Sequence, residues 1–160
     1  MGRISRAVMF MGIARLASQR STCMRLNVGA VITHDNRPVS IGWNGAAPGA
    51  AHCAGNECPG VVPGRCGTTH AERNAISHLP MSLVGYCPNG GLDLYCTDSP
   101  CEDCARLIID SQVIGRVFFE RAYRDPSPLK LLWEKKVPVF EVTPAGYIVD
   151  YFSRQVVEHP

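Results

Sequence analysis

An α/β fold with a mixed sheet is predicted from three features of the sequence. Residues 28–43 have the pattern of a β-hairpin, with two apolar runs around a polar turn. From residue 92 onward, strand patterns alternate with helix patterns in the order βαβαβ. The chain has 160 residues, 46% of them hydrophobic, which is enough to bury one core. We therefore expect a single domain over residues 1–160.

The N-terminal half is predicted to contain one helix and the hairpin. Apolar residues recur at helical spacing as far as Ser18, at Ile4, Val8, Met11 and Leu16. The hairpin strands are expected at 28–34 and 39–43, with the turn at 35–38. A loop rich in Gly, Pro and Cys then covers residues 44–69. It is longer than compact domains usually tolerate without a function or a clamp.

The second half supplies the alternating elements. A helix is expected at 70–79, stopped by Pro80. Strands are then predicted at 92–97, 117–120 and 137–142, with helices at 101–111 and 127–136. Ser127 is expected to cap the last helix, with Pro128 at its first position. The tail at 147–160 fits either a short strand or a helical turn.

Charge and composition limit the kinds of ligand and compartment. The net charge is only +2, and thirteen of the sixteen basic residues are arginines, so small phosphorylated ligands fit better than a nucleic-acid polymer. Arg3, Arg6 and Arg15 interrupt the N-terminal apolar residues, and no span suits a membrane. We therefore expect a cytoplasmic protein without membrane association. In that compartment the eight cysteines favour metal binding over disulfides.

One histidine and two cysteines have the pattern of a catalytic zinc site. Cys101 and Cys104 are spaced C-x-x-C on the first turn of a predicted helix, where the helix N-terminus favours the thiolate form. His70 at the start of the preceding helix gives three protein ligands and leaves a fourth position for water, as in catalytic rather than structural zinc sites. Glu72, two residues after His70, is then predicted to carry protons for the bound water.

Two other interpretations of these residues are open. The C-x-x-C pair alone also fits a thioredoxin-like redox pair, and His70 alone also fits a residue that caps its helix. The redox interpretation lacks the expected N-terminal βαβ setting and leaves the triplet H-A-E unexplained. The combined pattern therefore favours zinc.

The triplet H-A-E followed by P-C-x-x-C resembles the signature of zinc-dependent nucleotide deaminases. The resemblance implies a three-layer α/β/α cytidine-deaminase-like fold with a five-stranded mixed sheet. Within that superfamily the chain is most similar to the deoxycytidylate (dCMP) deaminases of bacteria and phages. The similarity covers nearly the whole length, in the stretches RSTCMRLNVGAVI, IGWNGAAPGAAHC, THAERNAI, TDSPCEDCARLII and VFFERAYRDPS.

This resemblance implies a reaction and a substrate site. The reaction is hydrolysis of dCMP to dUMP and ammonia, which supplies dUMP for thymidylate synthesis, with Glu72 protonating N3 and later the leaving amine. The G-W-N-G loop is typical of dCMP deaminases and places Asn44 against the sugar and phosphate. Backbone groups near Ala71 and Ser99 are implied to hold the base. The implied phosphate contacts are Arg25, Tyr123 and Arg124.

A second, structural zinc is implied by the cysteine-rich segment before H-A-E. Its four ligands would be Cys23, Cys53, Cys58 and Cys66, with His52 as a possible substitute for one of them. Four thiolates would clamp the loop at 44–69, which is too rich in Gly and Pro to form a core of its own. Two cysteines lack a partner at ligand spacing, Cys87 and Cys96, and Cys96 is expected to be an ordinary buried residue in a strand.

The resemblance also implies partners and leaves alternatives. Many such enzymes are hexamers that dCTP activates and dTTP inhibits, and they act in the cytosol of bacteria or of phage-infected cells. The alternatives are a deaminase of tRNA adenosine, guanine, a riboflavin precursor or 5-substituted dCMP, and a zinc-binding scaffold without catalysis. The G-W-N-G loop and the cysteines argue against the other nucleobase deaminases, and Glu72 argues against a scaffold.

Overall fold

The computed structural model describes residues 3–53, 67–86 and 91–159. The helices in these ranges are α1 (Arg6–Ser18), α2 (Ala71–Ser77), α3 (Met81–Tyr86), α4 (Glu102–Ser111) and α5 (Ser127–Glu134). The strands are β1 (Gly29–His34), β2 (Arg37–Trp43), β3 (Leu92–Asp98), β4 (Ile114–Arg121), β5 (Val139–Val142), β6 (Ile148–Asp150) and β7 (Val156–Glu158). Across these parts of the chain, every helix is too short or too polar to cross a bilayer.

The strands form one mixed sheet in the order β2-β1-β3-β4-β5-β6-β7. Strands β3, β4 and β5 are parallel, and the remaining neighbours are antiparallel. The mixed α/β fold is confirmed, but the expectation of five strands is wrong, since the described residues contain seven. The additional strands β6 and β7 come from the tail, and each has only three residues. Such short strands are too short to show a period of their own; β6 forms by pairing with β5, and β7 by pairing with β6.

Helices cover both faces of the sheet. On one face α2, α4 and α5 pack in a core that includes Ile32, Leu94, Ile108, Val117 and Leu132. On the other face α1 packs in a smaller core that includes Phe10, Met11, Val31, Tyr95 and Phe118. Successive strand residues alternate between the two cores, because side chains in a strand point to opposite faces.

The hairpin turn is shorter than the sequence suggested. Asp35 and Asn36 form it with φ of 47° and 60°, a backbone that matches the twist of the flanking strands. Strand β2 then begins at Arg37, so Pro38 lies within a strand and not in the turn. Proline is accommodated there because β2 is an edge strand, on which not every N–H needs a partner.

Two predictions about helix ends differ from the structure. The helix expected at 70–79 is α2, which spans Ala71–Ser77 and so ends before Pro80; α3 then follows, and the Pro80 carbonyl accepts the amides of Leu83 and Val84. Ser127 does not cap α5, because it is already the first helical residue. Pro126 occupies the N-cap position, and Asp125 before it supports the start of the helix, since its Oδ1 accepts both the amide (2.9 Å) and the hydroxyl (2.6 Å) of Ser127.

Helix α2 lies unusually close to the edge strand β2. Gly42 faces the helix, and a Cβ atom at this position would collide with the backbone of Ala71 and Ala75. Ser40 reinforces the contact by donating its hydroxyl to the Ala75 carbonyl at 2.6 Å. The missing side chain of Gly42 therefore sets how deep the N-terminal end of α2 sits in the molecule.

Candidate active site

The N-terminal ends of α2 and α4 meet beside the carboxyl end of β3. His70 is the residue before α2, and Cys101 is the residue before α4. Both have extended backbones, with ψ of 155° and 175°, and neither side chain caps its helix. The capping interpretation of His70 is therefore wrong, and both side chains are directed to the space between the helices.

Three side chains converge there with the geometry of metal ligands. The Nδ1 atom of His70 lies 3.3 Å from Sγ of Cys101 and 3.4 Å from Sγ of Cys104. All three atoms lie within 4.8 Å of one another. Ligand bonds of ordinary length around tetrahedral zinc place nitrogen and sulfur about 3.6 Å apart. One imidazole and two sulfurs therefore fit zinc in both donor type and spacing.

The thiols of the pair differ in acidity. The pKa of Cys101 is lowered to about 4, first by its hydrogen bond with Cys104 and also by the bond with His70, while burial opposes the change. The same bond with Cys101, together with burial, raises the pKa of Cys104. Cys101 is thus a thiolate at neutral pH, which is the form that binds metal.

Glu72 is the second residue of α2 and is only 4% exposed. Burial is the main reason that its pKa is raised to about 7, with its own backbone amide opposing the change. Negative charge on Cys101 adds to the rise, whereas His70 lowers it. A carboxyl group with a pKa near neutrality can both donate and accept a proton under ordinary conditions, as a general acid and base must.

A cavity of about 640 Å³ opens over these groups. This volume lies in the range of small-molecule binding sites. Its wall is formed by Cys23, Arg25, Leu26, Val28, Asn44, Thr68, His70, Ala71, Glu72, Asp98, Ser99, Cys101, Glu102, Asp103 and Tyr123. Most of these residues come from the segment before β1, the start of α2 and the end of β3.

The structure brings most of the predicted substrate residues to this cavity. The wall contains Arg25, Asn44, Ala71, Ser99 and Tyr123, but Arg124 is not part of it. The Asn44 side chain is bonded to the backbone, since Oδ1 accepts the amide of Val28 at 2.8 Å and Nδ2 donates to the Leu26 carbonyl at 2.7 Å. Asn44 therefore holds one side of the wall in place.

The predicted second zinc site falls partly outside the described residues. Cys58 and Cys66 lie outside them, as does Cys87. Cys23 and Cys53 are half-buried, and Cys23 lines the cavity, while His52 is exposed. Cys96 is fully buried in the core next to α2 and α4, as the sequence suggested.

Sequence reasoning missed the acidic part of the wall. Asp98 lines the cavity and is only 6% exposed. Glu102 and Asp103 also line it and lie in the first turn of α4. The available signal was position, since Asp98 directly follows the strand predicted at 92–97 and lies three residues before Cys101. Its partner is an arginine on another strand, which the sequence alone does not indicate.

Comparison with known proteins identifies the family. Residues 5–121 match the family model described as the cytidine and deoxycytidylate deaminase zinc-binding region. ComE operon protein 2 of Bacillus subtilis (strain 168) is 37% identical over 156 residues, covering 97% of this chain and 80% of that protein. The deoxycytidylate deaminase of Mycobacterium phage D29 is 41% identical over 118 residues, covering 65% of this chain and 86% of that protein.

A solved structure agrees with this result. The dCMP deaminase of cyanophage S-TIM5, in complex with dCMP and dUMP, superposes with a TM-score of 0.68 and 29% identity. The match covers 87% of this chain and 98% of that one. With the His70, Cys101 and Cys104 cluster beside a buried glutamate, these matches show that the chain belongs to the cytidine and deoxycytidylate deaminase family of zinc-dependent enzymes.

Proposed function

We propose that the protein hydrolyses dCMP to dUMP and ammonia in the cavity above His70, Cys101 and Cys104. The observation that carries the proposal is Glu72, a carboxyl group buried beside this ligand cluster with a pKa of about 7. Two further findings support the choice of substrate. Several relatives carry the name deoxycytidylate deaminase, and the cyanophage structure that superposes on this fold contains dCMP and dUMP.

The ligand cluster fits a catalytic zinc ion. His70, Cys101 and Cys104 would hold it, since their donor atoms have the type and spacing that tetrahedral zinc requires. Zinc in such a site supplies a water molecule acidic enough to attack C4 of cytosine near neutral pH. Three protein ligands leave room for that water and for substrate, whereas a fourth would close the site.

Glu72 is assigned the proton transfers. In its neutral form it donates a proton to N3 of the base, which makes C4 more electrophilic. The resulting carboxylate accepts one proton of the attacking water as the C4–O bond forms, and delivers it to the amine. The C4–N bond then breaks and ammonia leaves, while the remaining proton of the C4 hydroxyl passes to Glu72, which gives the C4 carbonyl of dUMP and restores neutral Glu72. Burial raises the pKa of Glu72, and this helps the carboxyl group to hold the proton that it first donates.

The substrate contacts are proposed from their places in the cavity wall. Ala71 and Ser99 flank the ligand cluster, so we assign their backbone groups to the base. Arg25 and Tyr123 also line the wall, and we assign them to the phosphate end. Asn44 fixes the wall segment from Leu26 to Val28 and so shapes the side that receives the sugar. Arg124 ranks below Arg25, because it is not part of the wall.

A second zinc and one continuous domain complete the proposal. We infer that Cys23, Cys53, Cys58 and Cys66 bind a structural zinc that clamps residues 44–69 onto a deaminase domain spanning 1–160. The support is the number of cysteines in a segment rich in Gly and Pro. The sheet supports the single domain, because its strands come from residues 29–158.

Assembly and regulation are proposed on the family resemblance. We propose a homo-oligomer, with a hexamer as the expected form, activated by dCTP and inhibited by dTTP. Exposed apolar side chains on α1 support a contact surface, since Met9 and Leu16 are 40% and 66% exposed. Light scattering coupled to gel filtration, and assays with each nucleotide added, test the two parts separately.

Ammonia release from a panel of compounds tests the main proposal. We expect dCMP to be deaminated far faster than deoxycytidine, cytosine or CMP. Each lost charge-assisted contact typically costs about 1.5 to 3 kcal/mol, so removing a phosphate held by two or three contacts lowers kcat/KM by roughly three or more powers of ten. Turnover of free guanine or a tRNA anticodon stem in place of dCMP would refute the substrate assignment.

A further inference from the structure

Two ion pairs of the same design connect β3 to β4. Asp93 lies opposite Arg116 and Asp98 lies opposite Arg121 in the parallel register. In both pairs the arginine donates Nε and Nη2 to the two carboxylate oxygens, at 2.7 and 2.6 Å in the first pair and 2.9 and 2.7 Å in the second. The aspartates are five residues apart, so the pairs point to opposite faces of the sheet. Only the second pair lies at the cavity end of the strands.

The carboxylate of the pair at the cavity end is more deeply buried and has a further partner. The side chain of Asp98 is 8% exposed, compared with 21% for Asp93. The Thr97 hydroxyl also donates to Oδ2 of Asp98 at 2.8 Å and itself accepts the amide of Gly29 at 3.2 Å. Asp98 thus ties β1, β3 and β4 together where these strands reach the cavity.

The same strand ends carry two residues of the cavity wall. The Ser99 amide donates to the carbonyl of Arg121 at 2.8 Å. The Ser99 hydroxyl accepts the amide of Tyr123 at 3.0 Å, which folds the chain after β4 back towards the cavity. Tyr123 is 44% exposed and belongs to neither a strand nor a helix. Its place in the wall therefore depends on these bonds.

We propose that Asp98 and Arg121 are positioning residues that fix the wall formed by Ser99 and Tyr123. The inference rests on the proposed function, since that wall is assigned to substrate binding. Arg121 is outside the cavity wall, and both carboxylate oxygens of Asp98 are already bonded, so the pair acts through geometry. A guanidinium fork is required, because a lysine cannot bond both oxygens in this planar arrangement.

The matched variants are Arg121→Met and Arg116→Met in the full-length, zinc-loaded protein. We expect Arg121→Met to raise KM for dCMP by about tenfold while kcat changes less than about threefold, because substrate placement is lost and the proton carrier is intact. Arg116→Met removes an equivalent pair from the opposite face and should leave both constants within about twofold. Arg121→Lys should raise KM by an intermediate amount. Equal KM for the Arg121 and Arg116 variants would overturn the inference.

Two further variants separate positioning from loss of stability. Arg121→Met leaves the buried Asp98 carboxylate without its partner, so we add Asp98→Asn to it. The double variant should regain thermal stability and keep the raised KM. In a Tyr123→Ala background, Arg121→Met should raise KM by clearly less than it does alone, since one of the two residues that it positions is absent. Additive effects of the two changes would contradict the inference.

Hydrogen exchange gives a readout that does not need activity. The Tyr123 amide should exchange faster in Arg121→Met than in the wild type or in Arg116→Met, measured by NMR on the zinc-loaded protein. Unchanged exchange in all three would overturn the inference. A wild type that does not turn over dCMP would refute the proposed function, and the exchange rates would still decide whether the pair positions Tyr123.

Discussion

Replacing Gly42 with alanine should impair the active site by displacing helix α2, although Gly42 lies outside the cavity wall. The added Cβ would collide with the backbone of Ala71 and Ala75, including the Ala75 Cα at 3.0 Å. Backbone atoms cannot rotate away as a flexible side chain can. The helix must therefore move, and it carries Glu72 and follows His70 directly.

The size of the effect follows from that collision. Restoring ordinary van der Waals distance requires α2 to shift by about 1 Å. Misplacing a catalytic group by this distance costs about 100-fold in rate, and overpacking costs about 1 to 3 kcal/mol of stability. We expect Gly42→Ala to lose about two powers of ten in kcat/KM for dCMP and to bind zinc more weakly, because His70 moves with the helix.

Gly12→Ala is the matched control. Gly12 lies inside α1 on the opposite face of the sheet, and a Cβ there would meet nothing within 4 Å. Alanine in a helix interior is favoured over glycine by about 0.5 to 1 kcal/mol, so this variant should be slightly more stable and fully active. Ammonia release, zinc titration against a chelating dye and thermal unfolding measure the two variants side by side. Wild-type kcat/KM and zinc affinity in Gly42→Ala would refute the idea that this glycine sets the position of α2.

Three other predictions concern individual side chains. Glu72→Gln should keep the fold and the zinc but lose several powers of ten in ammonia release, since an amide cannot carry the protons; substantial turnover would remove Glu72 from the mechanism. Metal analysis should find close to two zinc ions per chain and one after Cys58 and Cys66 are both changed to serine, whereas one ion in both proteins would exclude the structural site. Arg25→Met should raise KM for dCMP by about tenfold or more and Arg124→Met should not, because only Arg25 lines the cavity; steady-state kinetics that reversed this order would reject the assignment.

Local patterns in the sequence were sufficient for the chemistry and most of the fold. The C-x-x-C spacing brings Cys101 and Cys104 together at the start of one helix, and the H-A-E triplet places Glu72 next to His70 at the start of another. These relations depend only on residues a few positions apart. Apolar periodicity likewise predicted α1, the hairpin and the βαβαβ order, because the spacing of apolar residues that indicates a helix or a strand lies within each element.

Contacts between distant segments were decided by the tertiary structure. The three-residue strands β6 and β7 contain too few residues for a periodic signal, and Asp125 rather than Ser127 supports the start of α5. The 3.3 Å approach of His70 to Cys101 spans 31 residues, and burial of Glu72 is what raises its pKa to about 7. The Asp98–Arg121 pair depends on the register of two strands. Sequence therefore determined which groups are present, and packing determined their distances, burial and charge.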